Sequence, residues 1–481
     1  MSASTERKNR QAARAAGTDK KVQAAQEAAE KARKSKRKWI IGTVAVLLCI
    51  ALVLFFSSPL FYRISTAETI GGHSFSPAEI NYYKASMGYS SYVQYFGEET
   101  ARASLERNLT ELAAQLNYAE EQGLRLSSVE KDATADRAAE QMSLFADYAQ
   151  QNGVSLSTYM SAVFGSGVNE RLVRSVLEDS ALAQKAYFHK FCSLQYSEEE
   201  LDAYYENPED GDRLSYAVFF VASNENRTAL EARAAAQAVF ENYQYGKDDG
   251  EPLEVLNDAL AEEIPGSAAQ PFTDRAPSAV DAAYRDWVTA PERSEGELGV
   301  IEQPDGSGVY LLLFLGRSDN SEPVVAVRSI LITAEADENG EYTDEAKEAA
   351  RARAEELLAA WEAGDKTEAD FATMAYILSE DSNTSANGGL HSSMAAGQLA
   401  QLIGQEAEDF CFAEERQPGD TLIVYSEGEN GYRILFFVEK LPGRQAAARD
   451  ALRTADMTAW STEITAELTP EYHWAYRFVK K

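Results

Sequence analysis

This sequence is short of cysteine, histidine and positive charge, and each shortage removes a class of function. Its 481 residues include three cysteines, Cys49, Cys192 and Cys411, too few and too scattered for a disulfide framework. Cys192 and Cys411 pair only if the fold brings them together. The four histidines, His73, His189, His391 and His473, show no metal-ligand spacing, so neither a metal nor a cofactor is expected. Lysine and arginine number 45 against 77 aspartates and glutamates, a formal net charge of −32. That balance speaks against nucleic-acid binding, which needs basic patches, and against adsorption to anionic surfaces. Its plain reading is solubility.

The positive charge that exists is crowded at the start. Residues 1–38 hold 12 Lys/Arg against 4 Asp/Glu, which leaves −40 for the rest. This basic tail lacks a continuous apolar face and reads as disordered or as a surface helix. Directly after it, Trp39 to Phe56 runs 18 residues without a charge, and residues 39–58 are taken as a transmembrane helix. Basic residues on its N-terminal side place that side in the cytoplasm. A cleaved signal peptide has a shorter apolar region. A lipid-anchor signal needs a small residue before the cysteine, and Leu48 stands before Cys49.

The most informative stretch is 324–440. Val327-Arg328-Ser329-Ile330-Leu331-Ile332 reads as a strand, and Asp344 to Trp361 has a helical period. Then come Asp370-Phe371-Ala372, Ser379-Glu380-Asp381-Ser382, Gly388-Gly389, Gly397-Gln398-Leu399, Asp409-Phe410-Cys411-Phe412, Gly419-Asp420 and Gly431-Tyr432-Arg433-Ile434-Leu435. That order resembles the parvulin family of peptidyl-prolyl isomerases, with its V-R-H-I-L-I strand, glycine pair and closing G-Y-H-I-I strand. The resemblance implies a cleft in which Asp381, Ser329 and Arg433 hold the catalytic positions. Leu399, Phe410 and Phe412 would line the proline pocket. Two departures stand out: Ser329 replaces the family's first histidine and Arg433 its second.

Rotating an X–Pro bond faces a barrier of roughly 20 kcal/mol, because amide resonance must be broken. An enzyme lowers it by seating the ring in an apolar pocket and placing polar groups around the twisted amide. Serine is shorter than histidine, and arginine is longer and always charged. Activity is therefore expected to be weak or absent, with the cleft kept for holding peptide. Whether the chain is an enzyme stays open. His391, just after the glycine pair, reads as a solvated turn residue; a place near the cleft is the alternative.

Residues 64–210 read as almost entirely helical. Ser76, Pro77 and Glu79 form a capping-box start, and Gly97, Gly123 and Gly153 mark helix ends. The opening I-G-G-H-S-F-S-P-A-E-I, the A-E-E-Q-G-L-R-L-S helix end and G-V-S-L-S-T-Y-M resemble the chaperone domain of the PrsA/SurA group. A dense run of rings (Tyr82, Tyr83, Tyr89, Tyr92, Tyr95, Phe96) reads first as core and alternatively as a binding surface. In that group the C-terminal segment returns to the helical body. The aromatic end Tyr472-His473-Trp474-Ala475-Tyr476 is unlike a free tail, so residues 444–481 are expected to pack with 64–200.

Residues 214–316 look like a second, worn copy of the later module. Asp286 to Gly296 matches Asp409 to Gly419 at an offset of 123, and the same offset puts Gly308 on Gly431 and Tyr310 on Arg433. Ala217 is read at the first histidine position of this copy.

The expected architecture is α+β: a basic cytoplasmic tail (1–38), a transmembrane helix, and a helical SurA-N-like chaperone domain (64–210 plus 444–481). A degenerate parvulin-like domain (211–318) and a parvulin-like domain (324–440) complete it. The resemblance implies an extracytoplasmic folding factor that holds unfolded or secreted polypeptides, on a Gram-positive-type cell membrane. An active isomerase and a non-enzymatic envelope scaffold are the alternatives. A homodimer is left open.

Overall fold

The computed structural model describes residues 3–17, 20–205 and 212–480. It is a mixed α+β protein, mostly helical, with three small antiparallel sheets among the described residues. The strands in chain order are β1 (Glu68–Ile70), β2 (His73–Phe75), β3 (Arg213–Ala222), β4 (Gln270–Arg275), β5 (Glu297–Glu302) and β6 (Gly308–Ser318). They continue with β7 (Pro323–Thr333), β8 (Leu390–Ala395), β9 (Thr421–Ser426), β10 (Gly431–Pro442) and β11 (Glu471–Tyr472). Contacts divide the chain into two compact units. One holds residues 1–113, 135–177 and 468–481, and the other 114–134 and 178–467. The described part of the stretch 64–210, residues 64–205, is thus shared between them, and residues 206–210 lie outside the described residues.

In the first unit, Ala3–Ala15 and Lys20–Phe56 are helices. The basic tail is therefore helical wherever it is described. Within the second helix the uncharged run Trp39–Phe56 measures about 27 Å at 1.5 Å per residue, close to a bilayer core, and its large apolar side chains, Phe56 apart, are exposed. Ser58 caps a short helix, Pro59–Ile64, opened by proline. Phe61 from that helix is buried among Phe56 at 5.2 Å, Phe478 at 5.0 Å and Trp474 at 5.7 Å between ring centroids.

The three-stranded sheet runs β11-β1-β2, so the C-terminal residues are paired rather than free. His473 adds a backbone bond to Ala67 at 2.8 Å, and Tyr472 Oη donates to Glu106 Oε1 at 2.5 Å. The capping box at Ser76 and Glu79 forms as the sequence predicts, with Pro77 opening the helix Pro77–Ser86. The aromatic run divides: Tyr82 and Tyr89 are buried in two core clusters, whereas Tyr95 and Phe96 are exposed.

In the second unit two four-stranded sheets share one topology, β4-β3-β6-β5 and β8-β7-β10-β9. Strand β7 is covered on both faces, which is why its sequence is a near-continuous apolar run. Ala326, Ile330 and Ile332 meet the helices Asp344–Glu362 and Glu368–Leu378. Val325 and Val327 meet Leu399, Ala407 and Phe410 from the short helices Gln398–Leu402 and Gln405–Phe412.

The repeat is visible in the bonding as well as in the sequence. Arg293 Nε donates to the Trp287 carbonyl at 3.0 Å and Arg416 Nε to the Phe410 carbonyl at 2.9 Å, each at the offset of 123. Each guanidinium also lies over the ring in question, and the N–H groups of Gly296 and Gly419 bond to Phe314 and Phe437.

The register corrects one assignment. Tyr310 pairs with Phe220, and Arg433 with Leu331. The residue equivalent to Ser329 is therefore Val218, and Ala217 faces the opposite, helix-covered side. A strand shifted by one residue exchanges faces, and apolar runs carry no marker of which face is which.

The helix Gly443–Thr465 packs within the second unit. Gln445 Nε2 donates to Asp202 at 3.1 Å, Tyr196 Oη donates to Asp456 at 2.8 Å, and Trp460 meets the Tyr118 ring at 5.2 Å. The returning tail thus serves both units, its aromatic end in the first and its helix in the second. All three cysteines are free.

Candidate functional site

The face of the sheet formed by β7 and β10 has an apolar part and a polar part. The apolar part is a floor of Val325, Val327, Leu435 and Phe437, on which Leu399 and Phe410 are buried, with Phe412 and Met394 at its margin. The three residues read as a proline pocket thus lie against one floor. The polar part begins one strand position further along, at Ser329.

Ser329, Asp381 and Arg433 are brought together by β7, by the loop after the helix Glu368–Leu378, and by β10. Arg433 Nη1 donates to Ser329 Oγ at 2.7 Å and to Asp381 Oδ2 at 3.0 Å. Its Nε and Nη2 grip Glu429 at 2.7 and 2.6 Å. The guanidinium is 1 % exposed, so these two carboxylates are what make its burial tolerable.

Asp381 in turn accepts the Asn383 N–H at 3.0 Å and the Thr384 hydroxyl at 2.8 Å. Burial pushes its carboxyl up; the Thr384 and Asn383 bonds and the Arg433 charge outweigh it and hold the group below the usual carboxylate range.

His391 completes the cluster. The sequence suggested a solvated turn; instead it sits on β8, buried, with Nε2 3.0 Å from Ser329 Oγ. Two glycines bring it there. Gly388 and Gly389 both have φ near +70°, and a Cβ on Gly389 would fall 2.1 Å from the Ser329 carbonyl. The chain approaches β7 that closely because the Ser329 N–H donates to the Gly389 carbonyl at 2.8 Å.

Burial, reinforced by the Arg433 charge, lowers the His391 imidazole from 6.5 to about 4, so it is neutral at neutral pH. The unfolded chain takes up this proton at about 6.5 and the native one only near 4, so stability is lost as pH falls between those values. A shift of that size corresponds to about 3 kcal/mol. We expect His391→Gln to flatten the pH dependence of β7 and β8 amide protection in hydrogen exchange between pH 7 and 4.5. An unchanged slope would show that this imidazole does not control it.

Three supporting residues went unassigned in the sequence. Arg328 is fully buried on the opposite face of β7; its Nη1 donates to the carbonyls of Asn387 and Gly388 at 3.0 and 2.9 Å, and its Nε to Glu368 at 2.8 Å. It ties down the loop that carries the glycine pair. Its only signal was a charge inside an apolar strand. Glu429 and Thr384 gave none: their partners Arg433 and Asp381 are only four and three residues away, but across a turn and within a loop, where no helical or strand period marks the pairing. In the earlier module the matching places hold Val218 and Tyr310, with Tyr284 5.2 Å from Tyr310, so that face is aromatic where the later one is ionic.

Residues 310–427 match the family model described as the PPIC-type PPIASE domain. The match begins in β6 and ends before β10, so it includes Ser329, Asp381, His391, Leu399, Phe410 and Phe412 but not Arg433. No curated protein matches the sequence. Among solved structures, the chain is similar to a peptidylprolyl isomerase (PrsA) from Bacillus cereus at 14% identity, covering 84% of this chain and 90% of that one, with a TM-score of 0.18. It is similar to a peptidylprolyl isomerase (PrsA) from Bacillus anthracis at 15% identity, covering 44% and 79%, with a TM-score of 0.19. A foldase protein (PrsA) from Lactococcus lactis aligns at 13% identity, covering 67% and 97%, with a TM-score of 0.22. The family-model match is confined to residues 310–427, about a quarter of the chain, and over that stretch the sequence is similar to the PPIC-type PPIASE domain.

Proposed function

We propose that this chain is a membrane-anchored, extracytoplasmic folding factor that holds unfolded or secreted polypeptides, with weak or lost prolyl isomerase activity. The observation that carries the reading is the closure of the polar cluster. Ser329, Asp381, His391 and Arg433 are all buried and bonded to one another. A twisted amide is stabilised by donors aimed at the space it will occupy. Here the four bonds from Arg433 end on protein groups, and Ser329 Oγ lies between a guanidinium and a neutral imidazole. The apolar floor beside them is covered by the protein's own side chains, with Leu399 fully buried and Phe410 9 % exposed, so Phe412, half-buried at its margin, is the ring that a peptide can reach.

The anchor is the uncharged helix Trp39–Phe56, with the basic tail on the cytoplasmic side and the acidic bulk of the chain outside, as on a Gram-positive-type cell. Exposed Tyr95 and Phe96 offer rigid contact area for chain segments at little entropic cost. We assign the helical body to 64–210 with 444–481, and the two modules to 211–318 and 324–440. Asp381, Ser329 and Arg433 form the degenerate catalytic group, and of the residues assigned to peptide binding Phe412 makes the contact while buried Leu399 and Phe410 support it from beneath.

A second reading, an active isomerase, is favoured by the placement of Asp381, Ser329 and His391 beside an assembled pocket floor. One preparation of residues 64–481 separates the two. The holdase reading expects suppressed aggregation of an unrelated unfolded protein and Xaa-Pro tetrapeptide turnover at background. Turnover well above background overturns the loss of activity. Failure in both assays, with capture of one defined envelope partner, points to a scaffold instead.

A further inference from the structure

Immediately after the apolar helix, the first unit carries a cavity of about 430 Å³ whose lining includes Leu60, Arg63 and Ile64 from the helix Pro59–Ile64, with Asn169, Arg171 and Ser175 opposite. Arg63 lines this cavity, and its Nε atom is buried with no hydrogen-bond partner among the described residues. Leaving a buried cationic donor unmade is costly, and an arginine fork matches a phosphate. Asn169 Oδ1 accepts the Leu172 N–H at 3.1 Å, at the start of the 24-residue helix Glu170–Ser193, so the positive end of that helix also faces the cavity. Glu79 is the acidic residue of the lining, and its Oε2 is engaged by the Ser76 N–H at 2.6 Å.

The depth fits a membrane surface. Phe61 touches Phe56 at the end of the apolar helix, and Arg63 lies two residues further on in the same short helix as Phe61, which keeps it near the end of the span. The headgroup layer on each side of a bilayer is about 5–8 Å deep. Leu60 and Ile64 are 49 % and 62 % exposed beside the cavity, and Trp474, 51 % exposed, packs on Phe56 at 5.4 Å, the placement of an interfacial aromatic anchor.

We infer that this cavity binds the phosphodiester of a membrane phospholipid headgroup, held by Arg63 and Arg171, with acyl chain along Leu60 and Ile64. The inference rests on the reading of Trp39–Phe56 as a membrane span. The seat would fix how the extracytoplasmic body meets the bilayer, a surface that its overall acidity otherwise repels.

The test uses the full chain expressed in bacterial membranes, extracted in mild detergent and weighed by native mass spectrometry. We expect one phospholipid retained on the wild type. Arg63→Gln combined with Arg171→Gln should lower that fraction about twentyfold. Ser175→Glu, which keeps both arginines but sets a carboxylate on the lining one helical turn from Arg171, should also lower it, and serves if the double variant misfolds. Added diacylglycerol, which has the chains but no phosphate, should not occupy the site. Retention unchanged in the variants, in a chain that alkaline extraction leaves in the membrane, overturns the inference and spares the anchor. A chain absent from the membrane fraction overturns both. Displacement of the lipid by inorganic phosphate alone identifies a free-phosphate site and overturns the lipid assignment.

Discussion

Replacing Arg433 with leucine will destabilise the second unit by about 3–5 kcal/mol, the usual cost of breaking a buried ion pair from one side. The loss comes from what the guanidinium leaves behind. Asp381 is 5 % exposed and would keep its charge with only the Thr384 and Asn383 bonds to hold it. Ser329 would lose its nearest donor, while Glu429, at 30 % exposure, can turn to water. Arg433→Leu combined with Asp381→Asn should therefore recover a good part of the loss, since the neighbours are coupled rather than additive. Denaturant unfolding of the two variants checks this. A loss under about 1 kcal/mol for the single change, or a double variant no better than the single, would mean that the cluster is not a mutually dependent unit.

Glu68→Gln should do the reverse in the first unit: stabilise it by about 3 kcal/mol at pH 8 and hardly at all at pH 4.5. Glu68 is 1 % exposed on β1, and its Oε1 has no hydrogen-bond partner among the described residues. Burial, with the nearby Glu106 charge adding to it, raises its carboxyl from 4.5 to about 7. The native state keeps this proton up to about pH 7, whereas the unfolded chain releases it near 4.5. The stabilisation is thus fully present below 4.5 and is lost as pH rises through 7. Glutamine stays neutral throughout and escapes the loss. Hydrogen exchange of β1 and β11, measured on both proteins across that range, reads the effect where it arises. A Glu68→Gln protein that gains no protection at pH 8 would show that Glu68 is already ionised at no cost in the native state.

These two titrations run in opposite directions. Acid weakens the second unit through His391, and alkali weakens the first through Glu68. In each case the cause is a polar group held away from water with too few partners. Neither is a property of the residue type, since three further histidines and many other glutamates lie in the same chain.

Local features were legible without the structure. Ser76, Pro77 and Glu79 start a helix because the cap and box bonds reach only three residues. Gly97 and Gly153 end helices because their positive φ is a one-residue property. The offset of 123 between the modules survives as paired Arg293 and Arg416 contacts, because those too are short-range. The meeting of Ser329, Asp381 and Arg433 was anticipated from motif order.

The remainder was settled only by tertiary packing. Which of Ala217 and Val218 faces the equivalent site depends on pairing with β6, and an unbroken apolar run looks the same from either side. His391 became a buried neutral base because Gly388 and Gly389 let a loop close on β7. Arg328, Glu429 and Glu68 acquired their roles from neighbours on other elements. Periodicity, caps and turns depend on the nearest few residues and are written in the chain; burial and charge pairing depend on groups brought together from far along it, and exist only once it has folded.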